Sequence, residues 1–308
     1  MPALAAGLDY IDLNFLGRPE IIATGILHGA PGVALVDPGP ATTIENLTRA
    51  LEEKGIRFGD VRQLLITHIH LDHAGATGII VETHPHIDVI VHARGGPHMI
   101  DPAKLLASAG RLYGQDMDRL WGAVKPVPAK NVRVVNGGET MSIVGREVKI
   151  AYTPGHASHH VSYLDTASGV AFVGDTAGIR RGSGTFVMPP TPPPDIDLEA
   201  WRESERTLLA WDPDTLFLTH FGPYHGARQH LQAMFENIAE WSRIVRRLIA
   251  EGSMTEEERQ ARFVEEALVD LRRRVGESES ADYVRAGGLT YSWQGLSRYW
   301  RKRAGSGP

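Results

Sequence analysis

The sequence predicts an α/β fold, on three observations. Short β-branched segments recur over residues 8–225, helix-periodic segments lie between several of them, and the chain beyond residue 225 turns helical. With 42% hydrophobic residues in 308, there is enough apolar side chain to fill a sizeable core.

Ile11, Leu13 and Phe15 alternate with polar neighbours, as a half-buried strand requires, and β-branched runs follow at Ile21-Ile22 and over 33–36. The turn-forming Asp37-Pro38-Gly39-Pro40 separates these from a helix over 42–53 that keeps Ile44, Leu47 and Leu51 on one face. A strand over 61–67 runs straight into a cluster of histidines, and further short strands are expected near 87–91, 132–135, 148–152, 161–164, 170–173 and 216–218. Leu105, Leu106, Leu112, Met117, Leu120 and Trp121 mark amphipathic helices inserted over about 98–128, placed either to wall a pocket or to form a dimer face. Residues 188–194, Met-Pro-Pro-Thr-Pro-Pro-Pro, are expected as a stiff extended loop, because each proline lacks an amide donor and fixes φ. After His225, residues Leu231, Met234, Phe235, Ile238, Trp241, Val245 and Leu248 recur at helical spacing, and Thr255 with Glu258 matches a capping box that starts a second helix. The expected division is a catalytic domain over 1–225 and a helical extension over 226–308 packed on it.

A formal charge of −5 gives no chain-wide attraction to nucleic acid or to an anionic membrane surface. The absence of cysteine removes disulfides, thiolate metal ligands and a cysteine nucleophile, and favours the cytoplasm. The first residues lack a basic segment followed by a long apolar run, so neither a signal peptide nor a membrane span is expected.

The strongest chemical signal is Thr67-His68-Ile69-His70-Leu71-Asp72-His73, four metal-ligating side chains directly after a strand. A strand end followed by a loop and helix can aim alternating side chains at one point, where imidazole nitrogens and a hard carboxylate oxygen suit a divalent cation. Three more such residues follow apolar strands at small-residue turns: His156 in Thr153-Pro154-Gly155-His156, Asp175 in Val173-Gly174-Asp175, and His220 in Leu218-Thr219-His220-Phe221-Gly222. Seven ligands serve two ions if one carboxylate bridges, since catalytic zinc takes about three protein ligands plus water. A purely structural zinc site is disfavoured, because such sites usually close with four ligands and often use thiolates.

This ordered set resembles the metallo-β-lactamase superfamily, and within it the glyoxalase II-like hydrolases, over roughly residues 8–225. The resemblance implies a four-layer αβ/βα sandwich with the metals at one edge of its two sheets. It puts His68, His70 and His156 on one metal, Asp72, His73 and His220 on the other, and Asp175 between them. Asp37, in Leu35-Val36-Asp37-Pro38-Gly39, matches a structural position near the site, and His160 matches a family histidine four residues after a ligand. His159 and His160 are read as supporting groups; His28, His84, His86, His92, His98 and His230 are read as surface or packing residues.

The implied cofactor is a pair of divalent ions, zinc favoured, with iron or manganese as alternatives. A hydroxide shared by the pair would attack a small ester, thioester, lactone or phosphoester, with Asp72 orienting it or taking its proton. Lactonase and phosphotriesterase activities fall within that range. Lack of cysteine and presence of Asp175 argue against a true β-lactamase; Thr176-Ala177-Gly178-Ile179 after Asp175 lacks the lactonase tyrosine; and Thr219-His220-Phe221 departs from the Gly-His-Glu of glyoxalase II. A mononuclear iron persulfide dioxygenase is the rival reading. A tRNA-processing nuclease is more distant, because acidic neighbours dilute Arg272, Arg273, Arg274, Arg298, Arg301, Lys302 and Arg303 into a solvated helix face. Met188, Tyr224, His225 and the proline-rich loop are expected to wall the substrate pocket, being close in sequence to ligands. The expected partner is a small-molecule substrate, and the apolar tail faces would also suit a homodimer.

Overall fold

The computed structural model of the chain describes residues 4–182 and 184–305; the first three residues, on which the expectation about a signal peptide partly rests, lie outside them. One six-stranded sheet contains β1 (Leu8–Asp12), β2 (Ala23–Gly29), β3 (Gly32–Val36), β4 (Val61–Leu65), β5 (Asp88–His92) and β6 (Val132–Val135), in that spatial order. The other contains β7 (Thr140–Ile143), β8 (Arg146–Tyr152), β9 (Val161–Asp165), β10 (Val170–Phe172), β11 (Thr215–Leu218) and β12 (Gly222–Tyr224), likewise neighbour to neighbour. Both sheets are mixed: β3 to β6 run parallel, as do β10 and β11, and the remaining pairs are antiparallel.

Strand alternation assigns side chains to three apolar layers. In β5, Val89 and Val91 face outward to α1 (Ile44–Glu53), α2 (Leu71–Ala74) and α3 (Thr77–Thr83), while Ile90 faces the second sheet. Such a strand is buried on both faces and therefore reads as a continuous apolar run. In β11, Phe217 joins Phe172 and Tyr163 between the sheets, whereas Leu216 and Leu218 face outward. Outside that second sheet lie α7 (Leu198–Trp211), α8 (Ala227–Ala250), α9 (Glu256–Val275), α10 (Glu277–Gly287) and α11 (Leu289–Ala304). Helix, sheet, sheet, helix is the expected four-layer sandwich.

Trp241, Phe263, Trp293 and Leu296 of the tail share one core with Ala171 and Leu216 of the second sheet, so α8 to α11 complete its outer face. The capping box is present: Glu258 N donates to Thr255 Oγ1 at 3.2 Å, and Thr255 N donates to Glu258 Oε2 at 2.7 Å. The inserted segment folds as α4 (Gly96–Ile100), α5 (Ala103–Tyr113) and α6 (Met117–Trp121). Among the described residues no helix is long and apolar enough to cross a membrane.

Candidate metal centre

Strand direction decides where the chemistry gathers. In the first sheet β3, β4 and β5 are parallel, so Asp37, the 68–73 cluster and Arg94 all emerge from the same edge. In the second, β8 and β10 each oppose β9 and β10 parallels β11, so His156, Asp175 and His220 also leave a common edge. Val161 N donates to Thr67 O at 2.8 Å and Ala23 N donates to Thr219 O at 2.8 Å, joining the two edges.

Two glycines make the approach possible. A Cβ on Gly155, at φ +137°, would lie 2.2 Å from Trp201 Cβ, so the turn before His156 can pack on α7 only as glycine. Gly174, at φ +45°, brings Asp175 against Thr67 and His160, where a Cβ would meet Thr67 Oγ1 at 2.6 Å.

The seven expected ligands come together. His70 Nδ1 stands 2.9 Å from His68 Nε2 and 3.0 Å from His156 Nε2. On the other side, His220 Nε2 is 3.3 Å from both His73 Nε2 and Asp72 Oδ2. Asp175 lies between, with Oδ2 3.3 Å from His156 Nε2 and Oδ1 3.3 Å from His73 Nε2. Ligand atoms sharing one tetrahedral zinc stand about 3.3–3.6 Å apart, close to these spacings. His68, His70 and His156 form one group that could hold an ion, and Asp72, His73 and His220 form another. The chemical fit has a further sign: Asp175 Oδ1 is a buried carboxylate oxygen with no hydrogen-bond partner among the described residues, an arrangement that favours a cation beside it.

The surrounding shell fixes which nitrogens face inward. His156 Nδ1 donates to Pro190 O at 2.8 Å and His220 Nδ1 donates to Ile21 O at 2.6 Å; a carbonyl only accepts, so these protons sit on Nδ1. His73 Nδ1 pairs with Asp37 Oδ2 at 2.7 Å. Fully buried Asp37 also accepts from Thr67 N, Thr67 Oγ1 and Thr219 Oγ1, at 2.7–2.8 Å, and is a hub beneath the ligands. His160 accepts from Asp175 N at 3.2 Å and contacts Thr153 and Thr176, which matches a supporting role.

Charge is divided between the groups. Burial, reinforced by neighbouring histidines, pushes His68 well below the ordinary imidazole range, and burial with His156 takes His70 to about 4. Burial opposes protonation of His73 and His220 too, but the carboxylates around them outweigh it and raise both. Burial would raise Asp72, yet His73 and His220 lower it to about 2, so it is ionised at any working pH.

A cavity of about 690 Å³ opens over His70. Its wall includes Pro192, Pro193 and Pro194 of the proline-rich loop, together with Leu105, Leu112 and Tyr113 of the inserted helices. The other expected wall residues lie elsewhere. Met188 is fully buried among tail side chains and pairs with Ile179; the Tyr224 hydroxyl donates to Arg180 O at 3.0 Å; and His225 Nδ1 lies 3.0 Å from Asp214 O. Nearness in sequence to a ligand did not bring these side chains to the cavity: β12 runs antiparallel to β11 and carries Tyr224 and His225 back from the edge that His220 occupies, and Met188 packs into the tail core. His98, expected as a surface or packing residue, lines the cavity, as do Arg94 and Arg298. Arg94 was within reach of sequence reasoning, since the end of β5 shares an edge with the ends of β3 and β4. Arg298 carries no local signal.

Fold and site together define an αβ/βα sandwich with histidine and aspartate groups at its edge that could hold metal ions. The chain belongs to the metallo-beta-lactamase superfamily, whose model matches residues 18–220. It is 27% identical over 221 residues to a metallo-beta-lactamase fold-containing protein of Sulfurisphaera tokodaii, covering 70% of this chain and 78% of that protein. It is 29% identical over 133 residues to a hydroxyacylglutathione hydrolase of Prochlorococcus marinus, covering 41% of this chain and 42% of the relative. A metallo-beta-lactamase family protein from Thermus thermophilus has the same fold, with a TM-score of 0.71, 23% identity, and coverage of 98% of this chain and 95% of that one.

Proposed function

We propose that the chain is a dinuclear metal-dependent hydrolase of a small ester, thioester, lactone or phosphoester, with zinc the favoured ion and iron or manganese the alternatives. The observation that carries this reading is Asp175, whose two oxygens face two different ligand groups. Ions bound there would supply an activated water and an electrophile for a carbonyl or phosphoryl oxygen.

The chain's own residues divide the remaining work. His68, His70 and His156 stay neutral and ready to ligate, because burial disfavours their charged forms. Asp72, a carboxylate with a half-buried face, accepts a hydrogen bond from the attacking water and orients it. Leu105, Leu112, Tyr113 and the proline loop wall the substrate from bulk solvent. The hydroxyacylglutathione hydrolases among the relatives support a hydrolytic reaction and keep a thioester within range. The rival, a mononuclear iron persulfide dioxygenase, would leave the Asp72, His73 and His220 group without a part.

The test is turnover of an ester, thioester, lactone and phosphotriester panel by metal-loaded protein and by Asp72→Ala. Hydrolysis of at least one class is expected, with kcat reduced about 10²-fold or more in the variant. Full turnover by Asp72→Ala would overturn its assigned role, and inactivity across the panel would overturn the hydrolase reading.

A further inference from the structure

The cavity over His70 has four bases in its wall, Arg94, Lys104, Arg111 and Arg298, against one acid, Asp195, although the chain's formal charge is −5. Asp195 accepts from the neutral Ser158 Oγ at 2.6 Å, so it offsets one of the four positive side chains and leaves the others in excess. On the tail helices most arginines are paired: Arg243 with Glu240, Arg247 with Glu266, Arg262 with Glu265, Arg273 with Asp270 and Arg301 with Glu256. Arg298 breaks that pattern. Among the described residues neither it nor Arg94 has a carboxylate partner. Arg94 instead lies over the Tyr152 ring, 5.7 Å from its centroid.

A second cavity, of about 770 Å³, adjoins the first, and Arg94 and Arg298 belong to the walls of both. They therefore stand at the junction, together with Ser158, Pro194 and Asp195, while Ile69, Leu71, Leu105 and Leu112, like His70, line the first cavity and not the second. A bound molecule would meet the metal groups at one end, apolar side chains along its body and two guanidinium groups at the other.

We infer that Arg94 and Arg298 form an anion-binding subsite for the terminal carboxylate or phosphate of an ester or thioester whose scissile bond lies beside His70. A guanidinium presents a planar fork of donors that matches either anion bidentately, which an ammonium cannot do. Both arginines are exposed, and a lone exposed ion pair contributes little. Two in the wall of one cavity can share an anion and contribute more, and they would also steer anionic substrates inward. The fate of the bound molecule rests on the hydrolase reading above; its binding does not.

The experiment is calorimetric titration of the metal-loaded protein with glutarate and with 3-phosphonopropionate. Each offers one carboxylate to the metal end and a second anion to the arginines. The double variant Arg94→Gln/Arg298→Gln is expected to bind both about tenfold to hundredfold more weakly, and butanoate, which lacks the second anion, with unchanged affinity. Whichever ligand the wild type holds more tightly identifies the head group. Affinities for both within twofold of wild type in the double variant would overturn the subsite. In parallel, kcat/KM for an ester ending in a carboxylate should exceed that for its uncharged counterpart about tenfold or more, and the ratio should fall towards one in the double variant. Loss of binding without hydrolysis of either ester would refute the hydrolase reading alone, whereas hydrolysis without loss of binding would refute the subsite alone.

Discussion

Asp37 is fully buried beneath the ligands, and three of the groups that hold the ligand loops in place converge on it: Thr67, His73 and Thr219. Replacing it by Asn keeps its size but removes the charge opposite His73 and turns one acceptor into a donor. We expect Asp37→Asn to weaken metal affinity about ten- to hundredfold, measured by competition with a chelator; unchanged affinity would show that the hub does not orient His73. Gly155→Ala places a methyl group into Trp201 at a backbone angle side chains rarely adopt, so His156 or α7 must shift. Its metal affinity should fall while the rest of the fold persists, and a variant with wild-type affinity would contradict the close-packing account. These residues were legible in the sequence because each ligand sits in a short motif after an apolar strand. Of the cavity wall, the proline-rich loop and the inserted helices were legible, but the individual wall residues expected beside the ligands were not. Met188, Tyr224 and His225 lie near ligands along the chain but point into the core or towards loop carbonyls, whereas Arg94 and Tyr113 reach the cavity from strand β5 and helix α5.

At the scale of elements, β8 and β9 are tied by a bidentate pair, Arg146 to Asp165, at 2.8 Å through both guanidinium arms. Arg146 also donates to Ala6 O and His28 O, fastening the first sheet's outer strands to the second. Burial would raise the Asp165 pKa, but Arg146 and Ser168 outweigh it and hold it below the ordinary carboxylate value. A folded pKa below the unfolded one means the pair stabilises the fold fully above the ordinary carboxylate pKa of about 4, and that this stabilisation is lost as pH falls through the folded value. Asp165→Asn should cost about 2–4 kcal/mol at neutral pH by chemical denaturation and flatten the acid limb of the stability curve. An unchanged acid limb would contradict this. Among elements, the capped start of α9 was readable because Thr255 and Glu258 carry the motif locally. That α11 would reach the cavity was not, because Arg298 belongs to a basic run whose other members are solvated and mostly paired.

The whole molecule is built on three apolar layers, and the outermost of the second sheet is shared with the tail. Ala171, Leu216 and Leu218 have their cover from α7 and α8 to α11, including the fully buried Trp241 and Trp293. A fragment ending at residue 225 should therefore expose this face and aggregate, and Trp293→Ala should cost about 3–5 kcal/mol in the full chain. A soluble 1–225 fragment with a cooperative melt would show that the tail is dispensable. The four-layer arrangement was legible as a family pattern, but the two chambers that meet at Arg94 and Arg298 arise only when the inserted helices and the tail close over the sheet edges. The proposed dinuclear site requires two ions, one for each ligand group, with Asp175 between them. The most direct measurement is metal content per chain, by plasma mass spectrometry, of protein stripped and then reloaded with zinc, manganese or iron. The account predicts about two ions per chain in the wild type and fewer in Asp175→Ala. About one ion per chain in the wild type under every loading condition would contradict it.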